Sequence, residues 1–188
     1  MFKLILLIAL VVSIGFESRV VAQDAGQRTK DLVAALDKTK YKKKEKANIS
    51  VEVYVDVKND PIAKANPAEY SGFYEADGYR LELSARGDGS ATGSGFDTFI
   101  DSGKQMNFTL RNAHADGALL SATKVYDNGQ ERSFEAVFVN RTSRSGTRPD
   151  VITTSETKFG IGFVQYGDKT VAANNGDSWT NRVFLEKK

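Results

Sequence analysis

Apolar and polar residues alternate through the middle of the chain, over residues 78–140. The alternation comes in short runs, and the turns between the runs place a glycine after an acidic or amide residue, as in Asp88-Gly89 and Asp116-Gly117. A period of two predicts β-strands with one buried face, and glycine supplies the positive φ that tight hairpin turns require. This segment is therefore predicted to form three successive β-hairpins, which together make a meander.

Further strands are predicted on both sides of the meander. Four valines recur at every second position in one run, Val51, Val53, Val55 and Val57. Residues 151–166 and 179–186 also alternate, and they carry aromatic residues. About eight to ten short strands joined by tight turns are typical of a barrel or a sandwich. The predicted fold class is mainly β, an antiparallel meander closing into a barrel or sandwich, with one short N-terminal helix.

Residues 23–46 are predicted to form a polar helix followed by a basic linker. Leu32, Val33 and Leu36 would share one side of a short helix, and six lysines follow between Lys38 and Lys46. One interpretation of the lysines is peripheral contact with an anionic membrane, where each basic residue contributes ~1 kcal/mol. The favoured interpretation is a solvated linker, because no apolar anchor accompanies the lysines in the sequence.

The N-terminus has the pattern of a secretory signal peptide over residues 1–22. Lys3 precedes an apolar run, and Val20 and Ala22 stand before a predicted cleavage site at Gln23. The alternative is a retained anchor, but the apolar run is shorter than the ~20 residues of a membrane-spanning helix. The remainder, residues 47–188, is predicted to be a single β-barrel-like domain, since ~150 residues suffice for one core.

Composition bears on where the protein works and on its partners. The chain contains no cysteine, which excludes disulfides and fits a secreted or periplasmic protein of a bacterial envelope. The formal net charge is only +2, so we expect no nucleic-acid partner.

A short motif at the entry into the meander resembles calycin-type barrels, the lipocalin-like group of small secreted proteins. The motif comprises Gly72-Phe73-Tyr74, then Leu81-x-Leu83 and the Asp88-Gly89 turn. The resemblance covers residues 70–140. It implies an antiparallel barrel with an interior cavity for a small ligand.

The sequence offers little for catalysis or metal binding. His114 is the only histidine, and without cysteine it cannot complete a usual zinc or copper site, so we predict no metal, cofactor or catalytic residue. We interpret His114 as a surface residue beside a turn. Carboxylates such as Glu75 and Glu82 leave open the alternative of an envelope hydrolase, since glycan hydrolysis uses two such groups.

Aromatic side chains are the remaining candidates for a binding site. The predicted ligand-binding residues are Tyr74, Tyr79, Phe108, Phe134, Phe138, Phe163 and Trp179. The same residues could instead fill the interior, because an eight-stranded barrel is either packed with side chains or holds one small ligand. A filled core is the favoured interpretation.

These observations lead to three functional hypotheses. The first is an exported non-enzymatic β-barrel that binds a small apolar ligand, a glycan or a protein partner in the cell envelope. The second is the envelope hydrolase. The third is a structural or inhibitor-like module without a cavity, which would act through an exposed loop at residues 141–150. Whether the protein is an enzyme stays open, and the missing catalytic set favours the first hypothesis.

Overall fold

The structure is a computed structural model, and it describes residues 25–46, 49–99, 102–166 and 180–188. A helix, α1, spans residues 25–36, and a 3₁₀ helix spans Pro67–Tyr70. The strands in the described part of the chain are β1 Lys38–Lys46, β2 Ile49–Pro61, β3 Gly72–Ala76, β4 Tyr79–Ala85, β5 Ser90–Thr98, β6 Gln105–Asp116, β7 Leu119–Tyr126, β8 Glu131–Arg148, β9 Val151–Tyr166 and β10 Thr180–Lys187. The predicted signal peptide, residues 1–22, lies outside the described residues.

Strands β3 to β10 form a closed antiparallel ring. Each strand pairs with the next along the chain, and the ring closes where Glu75 of β3 lies opposite Glu186 of β10. Gly89 and Gly117 have positive φ in the turns of the predicted hairpins, a conformation that glycine adopts without steric strain. The predicted fold class, an antiparallel meander closing into a barrel or sandwich with one short N-terminal helix, is confirmed.

The same ten-stranded sheet continues beyond the ring along the two longest strands of the ring. Beyond Val139, β8 pairs with β2 on one side and with β9 on the other. Strand β1 pairs only with β2, so it is the outer edge of this sheet. We call the unit formed by β1, β2, residues 139–148 of β8 and residues 151–160 of β9 the extension sheet.

Two segments predicted to be irregular are strands in the extension sheet. The basic linker predicted at Lys38–Lys46 is wrong, because that segment is β1. The exposed loop predicted at residues 141–150 is also wrong, because β8 extends to Arg148. Both segments lack an alternating apolar pattern in the sequence. Their strand conformation comes from pairing with a neighbouring strand rather than from burial of their own side chains.

The interior of the ring is filled by side chains from alternate strand positions. In β4 the buried residues are Tyr79, Leu81, Leu83 and Ala85, and the three residues between them are exposed. This arrangement matches the predicted strand with one buried face. The ring centroids of Phe134 and Phe163 are 5.3 Å apart in an edge-to-face contact, which is a favourable aromatic geometry. The interior is therefore largely a packed core.

One end of the ring is closed by the segment between β2 and β3. The ring of Tyr70 stacks on that of Phe138, with centroids 3.6 Å apart and planes 6° from parallel. The Tyr70 hydroxyl accepts the Lys64 amide at 2.7 Å, and it lies 2.8 Å from the Ile62 carbonyl oxygen and 2.7 Å from that of Gly117. Because a buried hydroxyl needs such partners, these contacts fix the segment across the ring. We call this the closed end.

Helix α1 packs against the outside of the ring. Its buried Leu36 forms a second apolar cluster with Val137 and Val139 of β8. Gly162 of β9 permits this approach, because a Cβ atom there would lie 2.5 Å from a Leu36 methyl carbon. The predicted N-terminal helix is thus confirmed, with its apolar side on the ring. No helix in the described part of the chain is both long and apolar enough to cross a membrane.

Candidate functional site

A buried ion pair lies inside the ring, away from its closed end. The Lys124 ammonium on β7 is 2.8 and 2.7 Å from the two carboxylate oxygens of Asp97 on β5. The Tyr126 hydroxyl donates to the same carboxylate at 2.7 Å. Lys124 is 4% exposed and Asp97 is 3% exposed, so the pair is almost completely withdrawn from water.

Aromatic rings surround the Lys124 ammonium. Its nitrogen lies 4.3 Å from the ring centroids of Phe108 and Phe134, and 4.8 Å from that of Phe163. A desolvated ammonium within about 6 Å of a ring face is attracted by the ring quadrupole, by ~2 kcal/mol in favourable cases. The positive charge of Lys124 is therefore stabilised both by the Asp97 carboxylate and by these three aromatic rings.

Strand parity explains how a lysine reaches the interior. Lys124 occupies the same set of alternate positions of β7 as Leu120, Ala122 and Tyr126. Leu120 and Tyr126 are buried, and Ala122 is partly buried against the core. Asp97 on β5 also faces the interior. It lies opposite the buried Tyr79 of β4 and the buried Met106 of β6. Sequence reasoning missed both charged residues. A signal was available in the sequence, because residues two positions apart in a strand share a face. The residues two positions from this lysine and this aspartate indicate the buried face, so the two charged residues could have been predicted to be buried as well.

Burial sets the proton affinities of this cluster. Withdrawal from water lowers the pKa of the Lys124 ammonium, and the adjacent Asp97 carboxylate acts in the opposite direction. Burial raises the pKa of the Tyr126 phenol, and the negative charge of Asp97 raises it further. Tyr126 therefore stays protonated at neutral pH, where it serves as a hydrogen-bond donor to Asp97.

The ion pair lies where two strands of the ring diverge. The ladder between β8 and β9 ends at the pair Val137–Gly162. Beyond that pair, residues 131–136 of β8 lie against β7, and residues 163–166 of β9 lie against β10. The divergence leaves a cavity of about 190 Å³. Its lining residues are Asp97, Lys124, Tyr126, Arg132, Ser133, Phe134, Phe163, Val164 and Gln165.

The cavity carries an excess of positive charge. Arg132 lies at its edge, with its guanidinium carbon 4.7 Å from the ring centroid of Phe99. The positive charge of Arg132 lowers the pKa of Lys124 further. Among the residues that the structure describes, Arg132 forms no ion pair with a carboxylate. Two cations thus face the cavity against the single carboxylate of Asp97.

Gln165 supplies a fixed polar group on the β9 side of the cavity. Its side-chain carbonyl oxygen accepts a hydrogen bond from the Tyr79 hydroxyl at 2.7 Å. Asn181 of β10 donates to the same hydroxyl at 3.1 Å. Because the amide oxygen of Gln165 is bound in this way, its NH₂ group is the part left to donate to a bound molecule.

A larger depression lies outside the ring. It measures about 610 Å³ and crosses the outer faces of β4 to β7. Two of its charged residues already have partners, since Arg80 pairs with Glu75 at 3.5 Å and Asp127 accepts from Asn107 at 3.2 Å. The third, Glu82, is exposed to solvent. This depression therefore lacks the buried, convergent polar groups that are typical of a ligand site.

The structure divides the predicted ligand-binding aromatics into two groups. Phe134 and Phe163 line the cavity, and Phe108 contacts the Lys124 ammonium. Tyr79 reaches the cavity only through Gln165. By contrast, Tyr74 and Phe138 are fully buried in the packed core beside Tyr70. Trp179 lies outside the described residues. Ligand binding by any of these residues stays a prediction.

The residues considered for catalysis lie on the ring's outer surface. Glu75 pairs with Arg80 on that surface, and Glu82 is exposed on the neighbouring strand. His114 is exposed on β6, next to the turn at Gly89. Within the described residues, no group of three or more His, Cys, Asp or Glu side chains is placed to hold a metal ion. Glu75 lies opposite Glu186, and both carboxylates line an outer pocket of about 280 Å³ together with Glu156. Lys158 pairs with Glu186 at 2.9 Å and with Glu156 at 3.2 Å, so two of these carboxylates already have a cationic partner. The envelope hydrolase stays a prediction.

The comparisons with known proteins leave the family of this chain open, and its resemblance to calycin-type barrels stays a prediction. No protein-family model, curated protein or solved structure matches the chain.

Proposed function

We propose that this protein binds a small organic anion in the cavity where β8 and β9 diverge, as an exported, non-enzymatic protein of the cell envelope. The observation that carries the proposal is the pairing of two cations, Lys124 and Arg132, with one buried carboxylate at a cavity walled by aromatic rings. A bound molecule with one negative charge would balance the excess positive charge there.

The size of the cavity limits the ligand. A volume of about 190 Å³ is below the range of about 300–1,000 Å³ that is typical of ligand pockets. A long acyl chain or an extended glycan does not fit into that space. The proposal therefore narrows the expected ligand from an apolar molecule or glycan to a small anion with an apolar body, which would contact Phe134 and Phe163.

The buried ion pair supports binding rather than a purely structural role. Replacing a buried ion pair with apolar residues is often neutral or stabilising, so the pair is poorly explained by stability alone. Charged groups buried beside a cavity are typical of functional sites. Asp97 is already engaged by Lys124 and Tyr126, so it is poorly placed to act as a free general base.

The binding proposal predicts a specific defect in the Arg132→Gln variant. Loss of one charge-assisted hydrogen bond should weaken binding of a small carboxylate such as benzoate by at least about tenfold. Isothermal titration calorimetry of the purified protein with benzoate measures this change. Benzamide is the matched neutral probe, because it has nearly the same shape without the charge.

The contrast between the two probes decides the outcome. We expect benzoate to bind the unaltered protein more tightly than benzamide, and we expect Arg132→Gln to remove that preference. Arg132 is partly exposed at the cavity edge, so the variant should keep its fold. Equal binding of both probes, or no binding of either, contradicts the proposed anion site.

Export is supported by the pattern of residues 1–22, with Lys3 before an apolar run and small residues before Gln23. Expression in a bacterium should therefore yield a periplasmic protein whose first residue is Gln23. N-terminal sequencing of the periplasmic fraction measures this. Recovery of the folded protein from the cytosol, with residue 1 still present, would contradict export.

A further inference from the structure

One face of the β1–β2 hairpin combines a row of lysines with a row of valines. In an antiparallel pair, residues directly opposite each other project from the same face. The opposed pairs on this face are Lys38 with Val57, Lys40 with Val55, Lys42 with Val53 and Lys44 with Val51. We call this surface the lysine–valine face. Sequence reasoning favoured a linker because no apolar anchor stood beside the lysines, and strand pairing supplies that anchor from β2.

The lysine–valine face is open to solvent at its Val51–Val53 end, whereas Val57 at the other end is buried. Val51 is 52% exposed and Val53 is 47% exposed, although both are β-branched residues that usually pack in a core. A groove of about 360 Å³ runs between the two rows. Among the described residues, none of the four lysines forms an ion pair with a carboxylate. Within the described part of the chain, the four lysines are thus left without a carboxylate partner, and Val51 and Val53 are left without a covering element.

The opposite face of the same hairpin is different. There Thr39 donates to Asp56 at 2.6 Å, and Lys43 lies opposite Glu52. Asp56 also lies opposite Arg144 of β8. Charges of both signs are therefore mixed on that face, and the excess of positive charge is confined to the lysine–valine face.

Protection of an edge strand is a simpler explanation for the lysines. Lysines on an edge discourage pairing with another chain, and β1 is the outer edge of the extension sheet. This explanation covers the charges on β1. It leaves the exposed valines unexplained, because lysines alone protect an edge. Val51 and Val53 lie in the part of β2 that extends beyond its ladder with β8 and pairs with β1.

We propose that the lysine–valine face docks on an anionic lipid surface. The four lysines span roughly 20 Å at ~3.3 Å per residue, so all of them can meet a flat surface at once. Cationic groups next to exposed apolar side chains are the combination that favours binding at a charged membrane interface, where the apolar groups enter the headgroup boundary. Two copies docking through this same face would bring lysine rows together, which is electrostatically unfavourable.

The variant Lys40→Gln/Lys42→Gln tests the electrostatic part of the proposal. The probe is a vesicle of equal parts phosphatidylcholine and phosphatidylglycerol, and co-sedimentation of the purified protein gives its partition coefficient. Each lysine removed should weaken partitioning about fivefold, which gives about 25-fold for the pair. Added salt should weaken the binding of the unaltered protein, because it screens exposed charges.

A matched control removes two positive charges elsewhere. Arg86 lies in the turn between β4 and β5, and Lys104 lies between β5 and β6; both are exposed. The variant Arg86→Gln/Lys104→Gln has the same net charge as Lys40→Gln/Lys42→Gln, so equal losses in both variants would contradict a specific face. Thermal unfolding of each variant verifies that the fold is retained.

The valines have a separate test. Val51→Thr/Val53→Thr preserves strand propensity and side-chain shape, and it should weaken partitioning even in high salt.

Equal binding to vesicles of pure phosphatidylcholine would overturn the proposal, and so would absence of binding to the mixed vesicles. A dimer in light scattering that the valine variant abolishes would assign the face to a second copy instead. Benzoate binding should be unchanged in all these variants, because the interior cavity is a separate site.

Discussion

Replacing Asp97 with asparagine should destabilise the folded protein by about 3–5 kcal/mol, because it leaves the Lys124 charge buried without its counter-ion. Both side chains are almost fully buried, and their polar atoms are 2.7 and 2.8 Å apart. The positive charge of Arg132 nearby makes the unpaired ammonium still less favourable. Urea denaturation at neutral pH, followed by tryptophan fluorescence and circular dichroism, gives the free energy of unfolding.

The loss of folding stability caused by Asp97→Asn should become smaller as pH rises. Burial lowers the pKa of Lys124, and loss of the carboxylate that opposes this effect should lower it further. Between that depressed value and the unfolded-state pKa of about 10.4, the unfolded chain binds more protons than the folded one. Stability therefore rises with pH in this window, and it should rise more steeply in the variant than in the unaltered protein.

Two controls separate this effect from a general loss of packing. In Asp97→Asn/Lys124→Met the buried charge is gone and the introduced asparagine can still accept from Tyr126, so most of the lost stability should return. Glu131→Gln breaks an exposed ion pair with Arg111, and it should change stability by less than about 1 kcal/mol. A loss below about 1 kcal/mol in Asp97→Asn would contradict the burial of this pair.

Replacing Phe138 with alanine should also destabilise the protein by about 3–5 kcal/mol. Phe138 is fully buried and stacks on Tyr70 at the closed end of the ring. Removing its ring leaves a cavity between Tyr70 and the interior, and the hydrogen-bonded segment at residues 62–70 loses the surface that it rests on. The free energy of unfolding in urea measures the effect.

Phe73 provides the matched aromatic control. It is 41% exposed on the outer face of β3, where its ring contacts Arg80. Phe73→Ala should therefore change stability by less than about 1 kcal/mol. Similar losses in the two variants would indicate that Phe138 does not occupy a packed interior.

The local elements of the fold were predictable from the sequence for a physical reason. The turn at Asp88-Gly89 and the alternation of Leu81 and Leu83 act over a few residues, through backbone strain and burial of one face. The N-terminal helix was predictable in the same way, because Leu32, Val33 and Leu36 fall on one side of it. These signals depend only on near neighbours along the chain.

The candidate sites depend on contacts between distant residues. Asp97 and Lys124 are separated by 27 positions along the chain. The alternation of strand positions could place each side chain in the interior, but it could not show that the two side chains contact each other. Likewise, Lys38–Lys46 becomes a strand only because β2 pairs with it, and that register places each lysine of the lysine–valine face opposite a valine.

Turn chemistry and side-chain periodicity are local, so the order of amino acids is enough to specify the hairpins, their buried faces and the short helix. The closure of β10 on β3, the divergence of β8 from β9 and the position of the cavity between them emerge only in the folded chain. Those features follow from strand register and ring closure, which are set by the packing of the whole interior rather than by any single segment.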